Sequence, residues 1–280
     1  MAPLVLSRLE AGKDLEALIS RNPVPTVQPG EVFQVNSNLF FSQEDGYFFQ
    51  DDQEGIIPQV SLNGVMSKSG GLCSEGSRQL GSQMRMNDKK KNVSAHLIKI
   101  DSPGGAVDGT PEFASIVANL KKPVVAFVDS MAASAAYWVA SQTDHIVTNS
   151  QNYTAIGSIG TLSILTNEME ALKKRGVKVE IMRATASVDK ARLNSVEEWP
   201  EESLQERQKF LDQVNGDFIN DVNSGRNGKL FTMGEDIFTG RMYDQRKALS
   251  LGMIDQIGTL EDAIQAARNL AKSHKTTTKK

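Results

Sequence analysis

The run at residues 123–128, Pro-Val-Val-Ala-Phe-Val, contains no polar residue and constrains this chain more than any other feature. A short, unbroken apolar run is a strand covered on both faces, which places it inside a parallel sheet flanked by helices. Its surroundings carry chemistry. The strand predicted before it, residues 95–100, runs into Ile100-Asp101-Ser102-Pro103-Gly104-Gly105, and residues 130–138 after it read Ser-Met-Ala-Ala-Ser-Ala-Ala-Tyr-Trp. Residues 156–160, Ile-Gly-Ser-Ile-Gly, close the stretch. A serine among alanines just after a buried strand, with a Gly-Gly turn ending an earlier one, combines a candidate nucleophile with candidate backbone donors. That combination suits acyl chemistry.

The rest of the chain reads as an α/β domain of repeated βαβ units. Leu4, Leu6, Leu9, Leu15, Leu18 and Ile19 suggest short amphipathic helices, and Pro23, Pro25, Pro29 and Gly30 end them. Residues 32–52 suggest a hairpin around Asp45-Gly46. We read residues 1–52 as an N-terminal extension, 53–271 as the main domain and 272–280 as a disordered tail. Within the domain, strands are expected at 57–62, 95–100, 123–128, 145–148, 177–182 and 253–256. Helices are expected at 74–87, from 110, at 134–141, 169–175, 201–223, 244–251 and 260–271, with a solvated lysine-rich loop at 88–92.

Composition removes several function classes. A net charge of -3 with scattered Lys and Arg offers no general attraction to nucleic acid or an anionic membrane. Cys73 is the one cysteine, which excludes an intrachain disulfide and a Cys-based zinc site. The N-terminal twenty residues lack the uninterrupted apolar core of a signal peptide, and no stretch approaches the ~20 apolar residues of a membrane span. A cytosolic protein without a membrane anchor is expected.

An acyl-transfer site needs a nucleophile, a base and donors for the oxyanion. Ser134 stands at a strand-to-helix turn, and the amides of Ala135, Gly104 and Gly105 are the candidate donors. His96 and His145 fall at strands, where a structural role is expected, and His274 falls in the tail. A lysine can replace histidine as the base if burial keeps part of it neutral.

Residues 101–105, 132–137, 157–160 and 240–258, in that order, resemble the signal peptide peptidase A family, relatives of the Clp protease/crotonase-like fold that use a serine/lysine dyad. The likeness covers residues 56–271. It implies Ser134 as nucleophile, Lys190 as base and Ser158 as the residue orienting the base, with no metal or organic cofactor. It also implies an extended peptide or protein substrate and a homo-oligomeric ring, in which Lys190 acts within its own subunit or on a neighbour. Ala135-Ala136 replaces the family's usual Gly-Gly, a variant resembling phage prohead proteases. The segment before Lys190 lacks the usual glycine. Two other readings follow from these residues: a catalytically silent, ring-forming capsid-assembly protein, and a crotonase-like acyl-CoA enzyme.

Overall fold

The computed structural model describes residues 31–36, 38–43, 46–50, 55–71, 75–231 and 234–278. The helices expected from Leu4 to Ile19, and Cys73, lie outside the described residues.

Three strands open the described chain, β1 (Phe33–Gln34), β2 (Leu39–Ser42) and β3 (Gly46–Gln50), and pair antiparallel. Ser42 faces Gly46 across the turn of the expected hairpin. β4 (Ile56–Asn63) takes β3 antiparallel on one side. Helix α1 (Ser77–Asp88) leads to β5 (His96–Ser102), and α2 (Thr110–Ala118) leads to β6 (Val124–Ala133). A six-residue helix, α3 (Ala135–Ala140), follows β6 at once and is succeeded by β7 (His145–Asn149) and β8 (Ala155–Gly157). Then come α4 (Met169–Lys174), the long α5 (Glu201–Gly225), β9 (Met242–Asp244), α6 (Gln245–Ser250), β10 (Gln256–Gly258) and α7 (Leu260–Thr278).

The sheet order is β1-β2-β3-β4-β5-β6-β7-β10, parallel from β4 onward. β6 outruns its predicted end. Its first half pairs with β7, and Met131, Ala132 and Ala133 pair with β8, which in turn pairs antiparallel with β9. The strand thus delivers Ser134 beyond the main sheet, between β5 and β8.

Apolar packing covers both faces of the parallel strands, as the apolar run requires. On one face Ile98, Ile100, Ala126 and Val128 pack with Leu80, Phe113, Val117, Trp138 and Phe218 from the helices. On the other, Leu97, Val125, Phe127 and Val147 pack with Ala263, Ile264, Ala267 and Ala271 of α7. Trp138 stacks on Phe218 at 4.4 Å and donates from Nε1 to Asp221, binding α3 to α5. The buried Arg226 pairs with Asp255 and donates to the Gly252 carbonyl, and Tyr137 donates to the Met253 carbonyl. The end of the fold is thereby tied to the helix that follows Ser134.

Four expectations are corrected. Residues 177–182 form no strand: Val177, Val179 and Ile181 alternate as a strand should, but they are exposed and no strand among the described residues pairs with them. The last strand is Gln256–Gly258 rather than 253–256, because Met253 and Ile254 are buried in the turn before it. α7 continues to Thr278, through most of the expected tail. Asp88, assigned to a solvated loop, ends α1 and accepts from the amides of Lys121 and Lys122 while contacting His96.

Candidate active site

Ser134 forms an elbow. With φ of 52° it lies between the last residue of β6 and the first of α3, a backbone region that residues with a Cβ rarely occupy. Such a conformation costs on the order of 1–3 kcal/mol and persists where the surroundings over-determine it. Here the Ser134 N–H donates to the Gly157 carbonyl at 2.8 Å, and the Ser134 carbonyl accepts from Trp138 at 2.9 Å. Every residue of α3 is buried. Ser134 itself stays partly accessible.

Among the described residues, the non-glycine positions with positive φ are Ser134, Ser158 and Ala191. Two are predicted site residues and the third follows Lys190 directly. Ser158 comes immediately after Gly157, whose carbonyl holds Ser134, so one peptide joins the two serines. The Ser158 N–H donates to the Arg241 carbonyl at 2.9 Å. Gly157 has no room for a side chain, since a Cβ there would lie 2.5 Å from that same carbonyl.

The two glycines after β5 differ. Gly104, at φ of 87°, packs so closely on the elbow that a Cβ would meet the Ala133 carbonyl at 2.6 Å and the Ala135 nitrogen at 2.8 Å. Its amide is already bonded to Ser102 Oγ at 3.1 Å. Gly105 bridges Met66, and its own amide has no acceptor among the described residues. Ala135 is the first residue of α3, where an amide has no partner within the helix. Of the three candidate donors, Gly105 and Ala135 are therefore the ones left free among the described residues.

Lys190 is elsewhere. It lies in an irregular segment between α4 and α5, exposed to solvent, and no hydrogen bond among the described residues joins it to Ser134. The loop that carries it is nonetheless organised. Arg183 donates to the carbonyls of Lys190 (2.6 Å) and Ala191 (3.2 Å), and pairs with Glu197 at 2.6 Å. Asn194 donates to both the Ala191 carbonyl and Glu197. The bonds from Arg183 and Asn194 hold the Glu197 carboxyl down at about 2. Charge-assisted bonds of this kind fix the backbone and leave the lysine side chain outside.

The histidines are structural in position. His96 and His145 open β5 and β7, whereas Ser134 closes β6, so the parallel strands put them at opposite ends of the sheet. Burial lowers His96 to about 4 despite its contact with Asp88, and His145 contacts Gln256. Among the described residues no group of three His, Cys, Asp or Glu side chains is placed to hold a metal ion. No helix among them is long and apolar enough to cross a membrane.

Sequence reasoning missed Ser102 and the Arg183–Asn194–Glu197 cluster. Ser102 was visible inside Asp-Ser-Pro-Gly-Gly, but only the fold shows its hydroxyl turned onto the glycine turn. Nothing in the spacing of Arg183 and Glu197 announces a pair.

Comparison with known proteins places the chain in a family. Residues 117–274 match the family model described as peptidase family S49, a span holding Ser134, Ser158 and Lys190. A Synechocystis protein provisionally named a protease is 32% identical over 207 residues, covering 72% of each chain. A Methanocaldococcus jannaschii protein, likewise provisionally named a protease, is 30% identical, and the alignment covers 66% of this chain but 58% of that one. An Enterococcus faecium protein provisionally named signal peptide peptidase SppA is 29% identical and is covered over 64% of its length. Among solved structures, a ClpP1 mutant from Listeria monocytogenes aligns over 74% of this chain and 94% of its own, with a TM-score of 0.49 and 12% identity. The chain belongs to peptidase family S49, the serine peptidases related to signal peptide peptidase A.

Proposed function

We propose that this chain is a serine endopeptidase that cleaves extended polypeptide, with Ser134 as nucleophile, Lys190 as base, and the Gly105 and Ala135 amides as oxyanion donors. The observation that carries the reading is the Ser134 elbow, a strained serine held by Gly157 with two unclaimed amides beside it. Ser134 Oγ attacks the peptide carbonyl carbon as Lys190 Nζ removes its proton. The amides stabilise the charge developing on the carbonyl oxygen. The tetrahedral intermediate collapses, the proton passes to the leaving amine, and a serine ester remains. Water, deprotonated by the same lysine, then hydrolyses that ester.

A lysine works as a base near neutral pH only when desolvated. Lys190 is open to solvent in its own chain, so we infer that it completes the site of a second copy in a homo-oligomer. Leu162, Ile164 and Met182 in the same segment, 77%, 84% and 93% exposed, support this inference because a second copy would remove them from water. A ring is the assembly we propose. Processing of capsid-assembly proteins is the narrower role suggested by the Ser134-Ala135-Ala136 variant of the motif.

The test is intact-protein mass after incubation with a serine-directed fluorophosphonate, on the native chain, Ser134→Ala and Lys190→Ala. One adduct on the native chain and none on either variant is the expected result. A folded, oligomeric native chain that takes up no label would favour a silent assembly protein instead.

A further inference from the structure

At the end of β5 is a hydroxyl that the acyl chemistry leaves unused. Ser102 is completely buried, and its Oγ makes two bonds, donating to the Gly64 carbonyl at 2.6 Å and accepting from the Gly104 amide at 3.1 Å. Both partners belong to the walls of the glycine turn. Gly64 is itself fixed by donating to the Asp101 carbonyl at 2.9 Å. Two residues on, the Met66 amide donates to the Gly104 carbonyl and the Met66 carbonyl accepts from Ala106.

These bonds dictate which way each glycine amide points. In a parallel bridge the partner bonds the residues on either side of the bridged one, whose own N–H faces away. Gly105 is that bridged residue, so its N–H points away from Met66, toward the side on which Gly104 packs against Ala133 and Ser134. The Gly104 N–H is turned inward to Ser102. A Gly-Gly pair is the backbone least able to choose between such orientations by itself. External bonds must make the choice: Met66 holds the peptide between Gly104 and Gly105, and Ser102 holds the one before it.

We infer that Ser102 is a positioning residue of the oxyanion site: by engaging the Gly104 amide, it commits the Gly105 amide to face the substrate carbonyl together with Ala135. Its effect on rate rests on the peptidase reading, whereas the selection between the two amides belongs to the fold alone. Loss of the hydroxyl leaves the Gly104 amide buried and unpaired, a state relieved by rotating the turn. That rotation misdirects Gly105.

The test compares the native chain with Ser102→Ala and with Ser102→Thr, which keeps the hydroxyl. Hydrolysis of a chromogenic peptide, inhibition by a peptide aldehyde and amide hydrogen exchange at Gly104 and Gly105 are measured on each. For Ser102→Ala we expect kcat to fall about 10- to 100-fold, less than or equal to the loss of one oxyanion donor, with KM unchanged. Aldehyde affinity should fall by the same factor, because the aldehyde adduct places an oxyanion in the site, and Thr should restore both. Exchange at Gly104 should be slow in the native chain and fast in Ser102→Ala. A kcat within about twofold of native, or aldehyde affinity unchanged while kcat falls, overturns the proposal. If Ser102→Ala does not fold, Ser102→Cys, a weak donor of similar shape, takes its place. If the native chain hydrolyses nothing, the peptidase reading fails, and the exchange arm still decides the selection: equal exchange of Gly104 in native and variant refutes it.

Discussion

The two halves of the proposed dyad are built on different terms. Ser134 sits in the body of the fold, held by Gly157, backed by a wholly buried helix and approached so closely by Gly104 that a methyl group would not fit. Lys190 sits on an arm, residues 161–200, which contains no strand and one short helix without a buried residue. The N-terminal part of α5, a helix about 37 Å long by the usual rise per residue, shares this exposure, since only Phe218 and Val222 toward its other end are buried. Apolar packing fixes the serine, while an ion pair and backbone hydrogen bonds fix the lysine loop. The contrast teaches that a single chain can fully shape the proposed nucleophile and oxyanion donors, whereas on our proposal the base is completed by the surface of another copy.

Changes in the body should be the most severe. Ser134→Ala should reduce peptide hydrolysis by at least about 10⁴-fold with an unchanged melting temperature, because the elbow is held by backbone bonds. Gly104→Ala should lower kcat/KM by about 100-fold or more and also lower the melting temperature, since the new methyl collides with Ala133 and Ala135 at a positive φ. The arm should respond more mildly. Arg183→Ala removes the donors to the Lys190 and Ala191 carbonyls, and should slow fluorophosphonate labelling of Ser134 about tenfold while leaving the melting temperature of the body within about 1 °C of native. An effect of Arg183→Ala as large as that of Ser134→Ala would erase the distinction between the two regions.

Acid should separate the regions as well. His96 is lowered from 6.5 to about 4 by burial, so the unfolded chain binds its proton first as pH falls. The stability from keeping it neutral is complete above about pH 6.5 and is lost between there and about pH 4, on the order of 3 kcal/mol. Chemical denaturation across that window checks this, and His96→Gln should flatten the dependence. Glu197 is lowered from 4.5 to about 2, so its contribution to the lysine loop is present above about pH 4.5 and is lost as pH falls through about 2. Hydrogen exchange in residues 183–197 should therefore rise at lower pH than the onset of destabilisation in the body.

What the sequence disclosed follows the same division. The body was legible because apolar runs and small-residue turns have one physical solution: residues 123–128 had to be a buried parallel strand, and Ser134 had to leave it at a helix start. The extension of β6 to Ala133 was not legible, since Asp129 and Ser130 look like a strand end. They are tolerated because Asp129 pairs with Lys99 and Asn149 on neighbouring strands. The arm misled for a different reason. Val177, Val179 and Ile181 carry a true strand period, but a period names a partner only if the chain supplies one. Of the candidate donors, the sequence offered Gly104 and Gly105 as equals, and it takes the bonds from Ser102 and Met66 to tell them apart.

The most direct test of a site shared between copies is to mix Ser134→Ala with Lys190→Ala under conditions that exchange subunits. Each variant alone should be inactive. The mixture should regain peptide hydrolysis and fluorophosphonate labelling confined to the Lys190→Ala chain, the one that keeps its serine. Mixed oligomers that form, as shown by native mass spectrometry, yet remain unlabelled and inactive would contradict the account and return Lys190 to its own subunit or out of the mechanism.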